Sequence, residues 1–182
     1  MSTYTVVVDR DLHPLDPRQE YENLCVMLCF DKEYDLGDTI GANPNLPTAF
    51  SGWGDLEDFL HKNRDIAVIK PLYLLDHSGL SISTSDFKDP WDSGQVGFIY
   101  LERHIWLEAV SKRRMTPALK KQALECLEAE VREYNAYLTG DVWYFSIAKD
   151  GNEVLSCAGI VGEKEAREAA AAAFNAEIRN GG

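Results

Sequence analysis

The stretch from Leu72 to Tyr100, LYLLDHSGLSISTSDFKDPWDSGQVGFIY, constrains the fold most, because strand, turn and strand signals follow one another in it without conflict. An apolar run from Ala67 to Leu75, broken only by Lys70-Pro71, meets Asp76-His77-Ser78-Gly79 and then the alternation Leu80-Ser81-Ile82-Ser83. That pattern predicts a hairpin with one buried face, and Gly79 supplies the positive φ that a tight turn needs. Asp86 to Gly94 is rich in turn residues, and Gln95 to Tyr100 reads as a further strand. The centre of a sheet is expected here.

The flanking segments supply the remaining elements. Thr5 to Val8 predicts a first strand, and the continuous apolar run Leu24 to Phe30 predicts one buried on both faces and placed centrally. Asp55 to Arg64 has helical character, with Leu56, Phe59 and Leu60 on one face. Arg103 to Val110 reads as a short helix or connector. Thr116-Pro117 is a strong helix start, Leu119, Ala123, Cys126, Leu127, Val131, Tyr134 and Leu138 recur at three and four, and Gly140 stops the helix. A helix over Thr116 to Thr139 follows, and it needs a sheet to lie on. Asp141 to Ala148, the turn Lys149 to Asn152 and Glu153 to Val161 make a second hairpin, and alanine-rich Glu163 to Ile178 is a terminal helix by propensity.

The expected architecture is α+β over a single domain, residues 1–182: a largely antiparallel sheet, the long helix packed on one face, and a C-terminal helix.

Charge is the unusual property. The net charge is -12, and the first sixty residues hold 12 acidic against 3 basic side chains while the rest hold 18 against 15. Such a field repels nucleic acid and anionic membrane, and it steers the chain toward a basic partner. The plainer alternative is that acidity only maintains solubility. Residues 31–54 are acidic and rich in breakers, and a loop of that length is functional or disordered in most domains. The candidate partner-binding carboxylates are Asp31, Glu33, Asp35, Asp38, Asp55, Glu57 and Asp58. The cluster Lys112-Arg113-Arg114 is too short to outweigh them and is a candidate for internal pairing.

Motifs for chemistry are sparse. Asp76, His77 and Ser78 have the side chains of a hydrolase triad, but consecutive residues point apart rather than converge. Cys25 and Cys29 on a strand would stand ~13 Å apart, too far to share a zinc ion. No metal site, cofactor or catalytic residue is assigned, and the four scattered histidines select no nucleophile–base pair. Asp86, Asp89 and Asp92 surround Trp91, either as an acid–aromatic contact site or, the favoured reading, as turn residues capping a buried Trp. The C-terminal Gly181-Gly182 has the form of a conjugation tail but reads as a frayed end. No run of ~20 apolar residues occurs, and the four cysteines suit a reducing cytosol.

The strings LYLLDHSGLSIST, PWDSGQVGFIY and EVREYNAYLTGDVWYF resemble a family of small proteins of unassigned chemistry encoded on bacteriophages and plasmids, over approximately residues 66–160. The resemblance implies a mobile-element protein acting in the cytoplasm of a bacterial host. By analogy with other small acidic proteins of such elements, the expected function is counter-defence. It would be an anti-CRISPR or anti-restriction inhibitor, possessing no membrane or direct nucleic-acid affinity, that binds a basic nucleic-acid-binding surface of a host effector. The alternative is a small enzyme modifying a nucleotide or a host defence protein, with His77, Asp76 or Asp92 beside a pocket near the hairpin.

Overall fold

A computed structural model describes residues 3–38 and 50–180. The middle of the acidic loop, residues 39–49, and the terminal diglycine lie outside the described residues. The chain divides into two compact units, residues 17–135 and residues 1–16 with 136–182. The boundary falls inside one continuous helix.

The larger unit is built on a four-stranded antiparallel sheet. In chain order it contains α1 (Pro17–Glu20), β2 (Val26–Cys29), α2 (Trp53–Asn63), β3 (Ile66–Asp76), β4 (Leu80–Ser83), β5 (Ser93–Glu102), α3 (Arg103–Ala109) and most of α4 (Pro117–Thr139). The first strand of the chain, β1 (Tyr4–Arg10), belongs to the other unit. The sheet order is β2-β5-β3-β4, so the expected sheet centre is the β5–β3 pair. The hairpin forms as read: Leu74 pairs with Ile82 and Asp76 with Leu80, and the turn holds Ser78 and Gly79 at positive φ. Pro71 is tolerated because it pairs with Phe98 of β5, while on its other flank β4 reaches only Tyr73 to Asp76.

The run Leu24 to Phe30 departs from expectation. Among the described residues it yields β2 at an edge rather than at the centre, pairing on one side with β5 and on the other forming an isolated bridge, Leu28 to Gly37. Only the placement differs, for both faces are buried as expected: Met27 and Leu28 are buried, and Leu28 joins Phe98, Tyr100, Leu56 and Leu60 in the core beneath α2. Phe59 of α2 is partly exposed instead of sharing that core and stacks obliquely on Phe50. Helix α4 buries Ala123, Leu127, Val131 and Tyr134, a stripe at three- and four-residue spacing. Its end is tied to this unit by the Tyr134 hydroxyl, which accepts from Gly37 N at 3.0 Å, and by Asn135, which accepts from Ile82 N at 2.8 Å.

The smaller unit has its own antiparallel sheet, in the order β1-β6-β7, with β6 at Val142–Lys149 and β7 at Asn152–Val161. Helix α5 (Glu163–Asn180) covers one face, where Phe145, Ile147 and Ala170 form a core with Tyr4, Val8, Ile160 and Phe174 around it. Every strand pairing is antiparallel, but the strands are shared between two sheets where one was expected. The reason is partner choice: β1 aligns with β6 over its whole length, from Tyr4 opposite Lys149 to Arg10 opposite Trp143, and so joins the C-terminal hairpin instead of the central strands.

Candidate functional site

Antiparallel pairing places the end of β2, the start of β5 and the end of β3 at one end of the four-stranded sheet. Cys29 lies opposite Gly97, Phe30 N donates to Val96 O, and Leu75 lies opposite Ser93. The segments leaving there are the acidic stretch from Asp31 to Asp35, the turn from Asp76 and the loop from Asp86 to Asp92. Two contacts draw them together. Tyr34 donates its phenol to Asp76 Oδ2 at 2.8 Å, and His77 Nδ1 stands 2.6 Å from Asp92 Oδ2. The Phe30 and Trp53 rings, 6.3 Å apart, add the first turn of α2 and hence Asp55.

Trp91 stands on this acidic end, and it is 91% exposed instead of buried as expected. The aspartates do cap the loop, but around the backbone and not around the indole. Asp89 accepts from Trp91 N at 3.0 Å and Asp92 N at 3.1 Å, Ser93 Oγ donates to Asp89 O at 2.6 Å, and Asp76 N donates to Asp92 O at 2.8 Å. Those backbone donors hold the Asp89 carboxyl below its ordinary range. A large apolar side chain is thus presented to solvent on a loop ordered by hydrogen bonds.

Asp92, by hydrogen bond first and charge second, holds the His77 imidazole above its ordinary pKa. A pKa raised on folding contributes stability that is present at low pH and lost as pH rises through the folded value. The tie between hairpin and loop therefore weakens on the alkaline side. In an NMR titration His77 should titrate above an unperturbed histidine, and Asp92→Asn should bring it down; a value at or below the unperturbed one in the native chain would contradict the ion pair.

The seven candidate carboxylates fare differently. Glu33, Asp35 and Asp58 are exposed and make no side-chain hydrogen bond or ion pair among the described residues, and Glu57 is half-buried. Asp31 accepts from Glu33 N and Tyr34 N, which shapes the turn after β2. Asp55 accepts from Ser51 N at 3.2 Å and from the Ser51 hydroxyl, closing the start of α2. Asp38 is half-buried and committed to internal partners. It takes Arg18 Nε at 2.7 Å and Nη2 at 2.9 Å on its two oxygens, and Met27 N at 2.8 Å. Lys112, Arg113 and Arg114 are exposed and ion-pair with no described residue.

Arg18 is the buried centre that sequence reasoning missed. Its side chain, 1% exposed, also donates to Glu130 Oε2 at 2.7 Å and to Cys25 O at 2.8 Å, while Glu130 Oε1 accepts from Leu24 N and Cys25 N. Burial disfavours the guanidinium charge, but the hydrogen bonds it donates to Asp38 and Glu130, together with the charges of these carboxylates, outweigh that and hold the Arg18 pKa above its ordinary value. The group fastens α1, the entry to β2, the chain after β2, and α4. It borders a cleft of about 650 Å³ lined also by Tyr21, Arg64, Glu102 and His104, in which Glu102 is paired with Arg64 at 3.6 Å and His104 at 3.3 Å.

Cys25 meets Cys126 and Glu130, not Cys29: one ligand atom from each lies within 4.8 Å of the others. This set fits a cation poorly. Glu130 is already committed to Arg18 and two amides, and burial, with the charge of Glu130 behind it, pushes both thiols up and away from the thiolate a metal needs. Burial likewise pushes Cys29 up to about 12.

Fold and site together define an α+β protein with an acidic, aromatic-tipped surface at one end of its larger sheet. Comparisons with protein-family models, curated proteins and solved structures gave no match. No helix among the described residues is long and apolar enough to cross a membrane.

Proposed function

We propose that this protein is a mobile-element counter-defence protein, an anti-CRISPR or anti-restriction inhibitor. It docks the acidic, Trp91-bearing end of its larger sheet on a basic nucleic-acid-binding surface of a host effector. The observation that supports binding is the convergence there of exposed carboxylates with a 91% exposed Trp on an ordered loop. A centrally placed Trp desolvated by a partner carries far more binding energy than its neighbours, and a ring of carboxylates sets orientation and association rate. The choice of a defence effector as partner rests on the resemblance of residues 66–160 to phage- and plasmid-encoded proteins. Glu33, Asp35 and Asp58 stand in for phosphates, Asp31, Asp55 and Glu57 extend the same field, and Asp38 acts from inside by holding Arg18.

The test is inhibition of DNA cleavage by a panel of purified CRISPR effectors and restriction enzymes, at low and high salt. Inhibition of at least one effector, relieved by salt, is expected. Trp91→Ala should weaken that inhibition ~30-fold, corresponding to ~2 kcal/mol at a hot spot, while thermal stability stays unchanged because the residue is almost wholly exposed. Glu33→Lys with Asp35→Lys and Asp58→Lys should weaken it further. Salt-independent inhibition, or full inhibition by the charge-reversed variant, would remove the mimicry.

A second reading, a small enzyme acting on a nucleotide or a host protein, draws on the 2.6 Å His77–Asp92 pair, which could orient an imidazole as a general base. Turnover at substoichiometric protein, abolished by His77→Ala, would establish it in place of the first.

A further inference from the structure

The smaller unit carries an open sheet edge. Of the four edge strands among the described residues, β2 and β4 have four residues each, and β1 ends in the charged pair Asp9-Arg10. Short or charged edges resist strand addition. β7 has ten residues, no Lys or Pro, a single charge at Glu153 and eight consecutive exposed positions, with Val154 43% and Leu155 40% exposed. The middle of its pairing with β6, from Leu155 to Cys157, is regular and is bounded by a register shift on each side. An extra β7 residue interrupts it on each side, Val154 at one end and one of Ala158-Gly159 at the other.

We propose that β7 is a homodimer interface, pairing antiparallel with β7 of a second copy about a two-fold axis at Ser156, so that the two three-stranded sheets become one of six. The interruptions select this partner. A straight foreign strand would meet an irregularity at each end, whereas the two-fold sets Val154 opposite Ala158 of the copy and matches irregularity with irregularity. Charge agrees: Glu153 falls opposite Gly159 of the copy and away from its own image. Leu155, beside buried Ile147, falls opposite Cys157 of the copy, beside buried Phe145, so the layer under α5 continues across the axis. This inference is independent of the proposed function.

Sedimentation equilibrium and cross-linking test it. The full chain should show a mass about twice its 20.4 kDa at tens of micromolar protein. Because each copy is net -12, dimerisation should tighten several-fold between 50 and 300 mM NaCl. Val154→Lys should give a folded monomer. In a Cys157→Ser background, Ser156→Cys should form an intermolecular disulfide under copper-phenanthroline, since residues facing across an antiparallel pair have Cα atoms ~4.5–5.5 Å apart. Glu153→Cys in the same background should not. A monomer at all concentrations up to 500 µM, a dimer that survives Val154→Lys, or cross-linking at Glu153→Cys and not at Ser156→Cys would each overturn the proposal.

Discussion

Gly97→Ala is expected to destabilise the larger unit by ~3 kcal/mol or more, the upper end of what overpacking costs. A Cβ at residue 97 would overlap the backbone oxygen of Leu28 and crowd the Leu28 carbonyl carbon and Cys29 Cα. Those atoms belong to the paired strand and cannot rotate aside, so relief requires β2 to move off β5. That movement would open the layer in which Leu28, Phe98 and Tyr100 pack beneath α2. Urea denaturation followed by tryptophan fluorescence measures the loss, with Gly94→Ala on the same strand as the control. A Cβ at Gly94 meets nothing, so that variant should lie within ~1 kcal/mol of the native chain. Equal effects at the two glycines would refute the close approach of β2 to β5.

Arg18→Met is expected to cost ~3–5 kcal/mol, the usual penalty for removing one member of a buried ion pair. The methylenes are replaced, but Asp38 and Glu130 lose the guanidinium that balances them, and Cys25 O loses a donor. Adding Asp38→Asn should recover part of the loss, because it removes one of the uncompensated charges while keeping an acceptor for Met27 N. A double variant less stable than the sum of the two singles would exclude this account. The loss should be felt first where the group holds chain segments together, at the entry to β2, as loss of amide protection at Leu24, Cys25 and Met27.

These two effects bear on the proposed docking surface. The acidic segment after β2 starts where Gly97 admits β2 and ends where Asp38 holds Arg18, so both variants should also weaken any inhibition that depends on Glu33 and Asp35. Trp91→Ala separates binding from folding, since its indole is outside the core while its loop is held by Asp89.

Local sequence was enough to determine most of the elements, the short helix α1 excepted. Gly79 marks the β3–β4 turn, Pro117 and Gly140 bracket α4, Gly151 turns β6 into β7, and alanine propensity carries α5, because each depends on backbone preferences and periodicities within a few residues. The α+β class followed from their order. Only the tertiary structure decided who pairs with whom. An apolar run looks alike at a sheet centre and at a covered edge, so β2 could not be placed from its composition. The partition of strands into two sheets turned on the register of β1 against β6, a choice made across 130-odd residues of chain. Charge patterning could not tell Asp38, which neutralises a buried Arg18, from Glu33, Asp35 and Asp58, which face water. Nor could it predict that Cys25 meets Cys126, or that Asp89 caps the backbone beneath Trp91 and leaves the indole exposed. Burial and pairing are properties of surfaces that meet only after the chain has folded, and no window of neighbouring residues contains them.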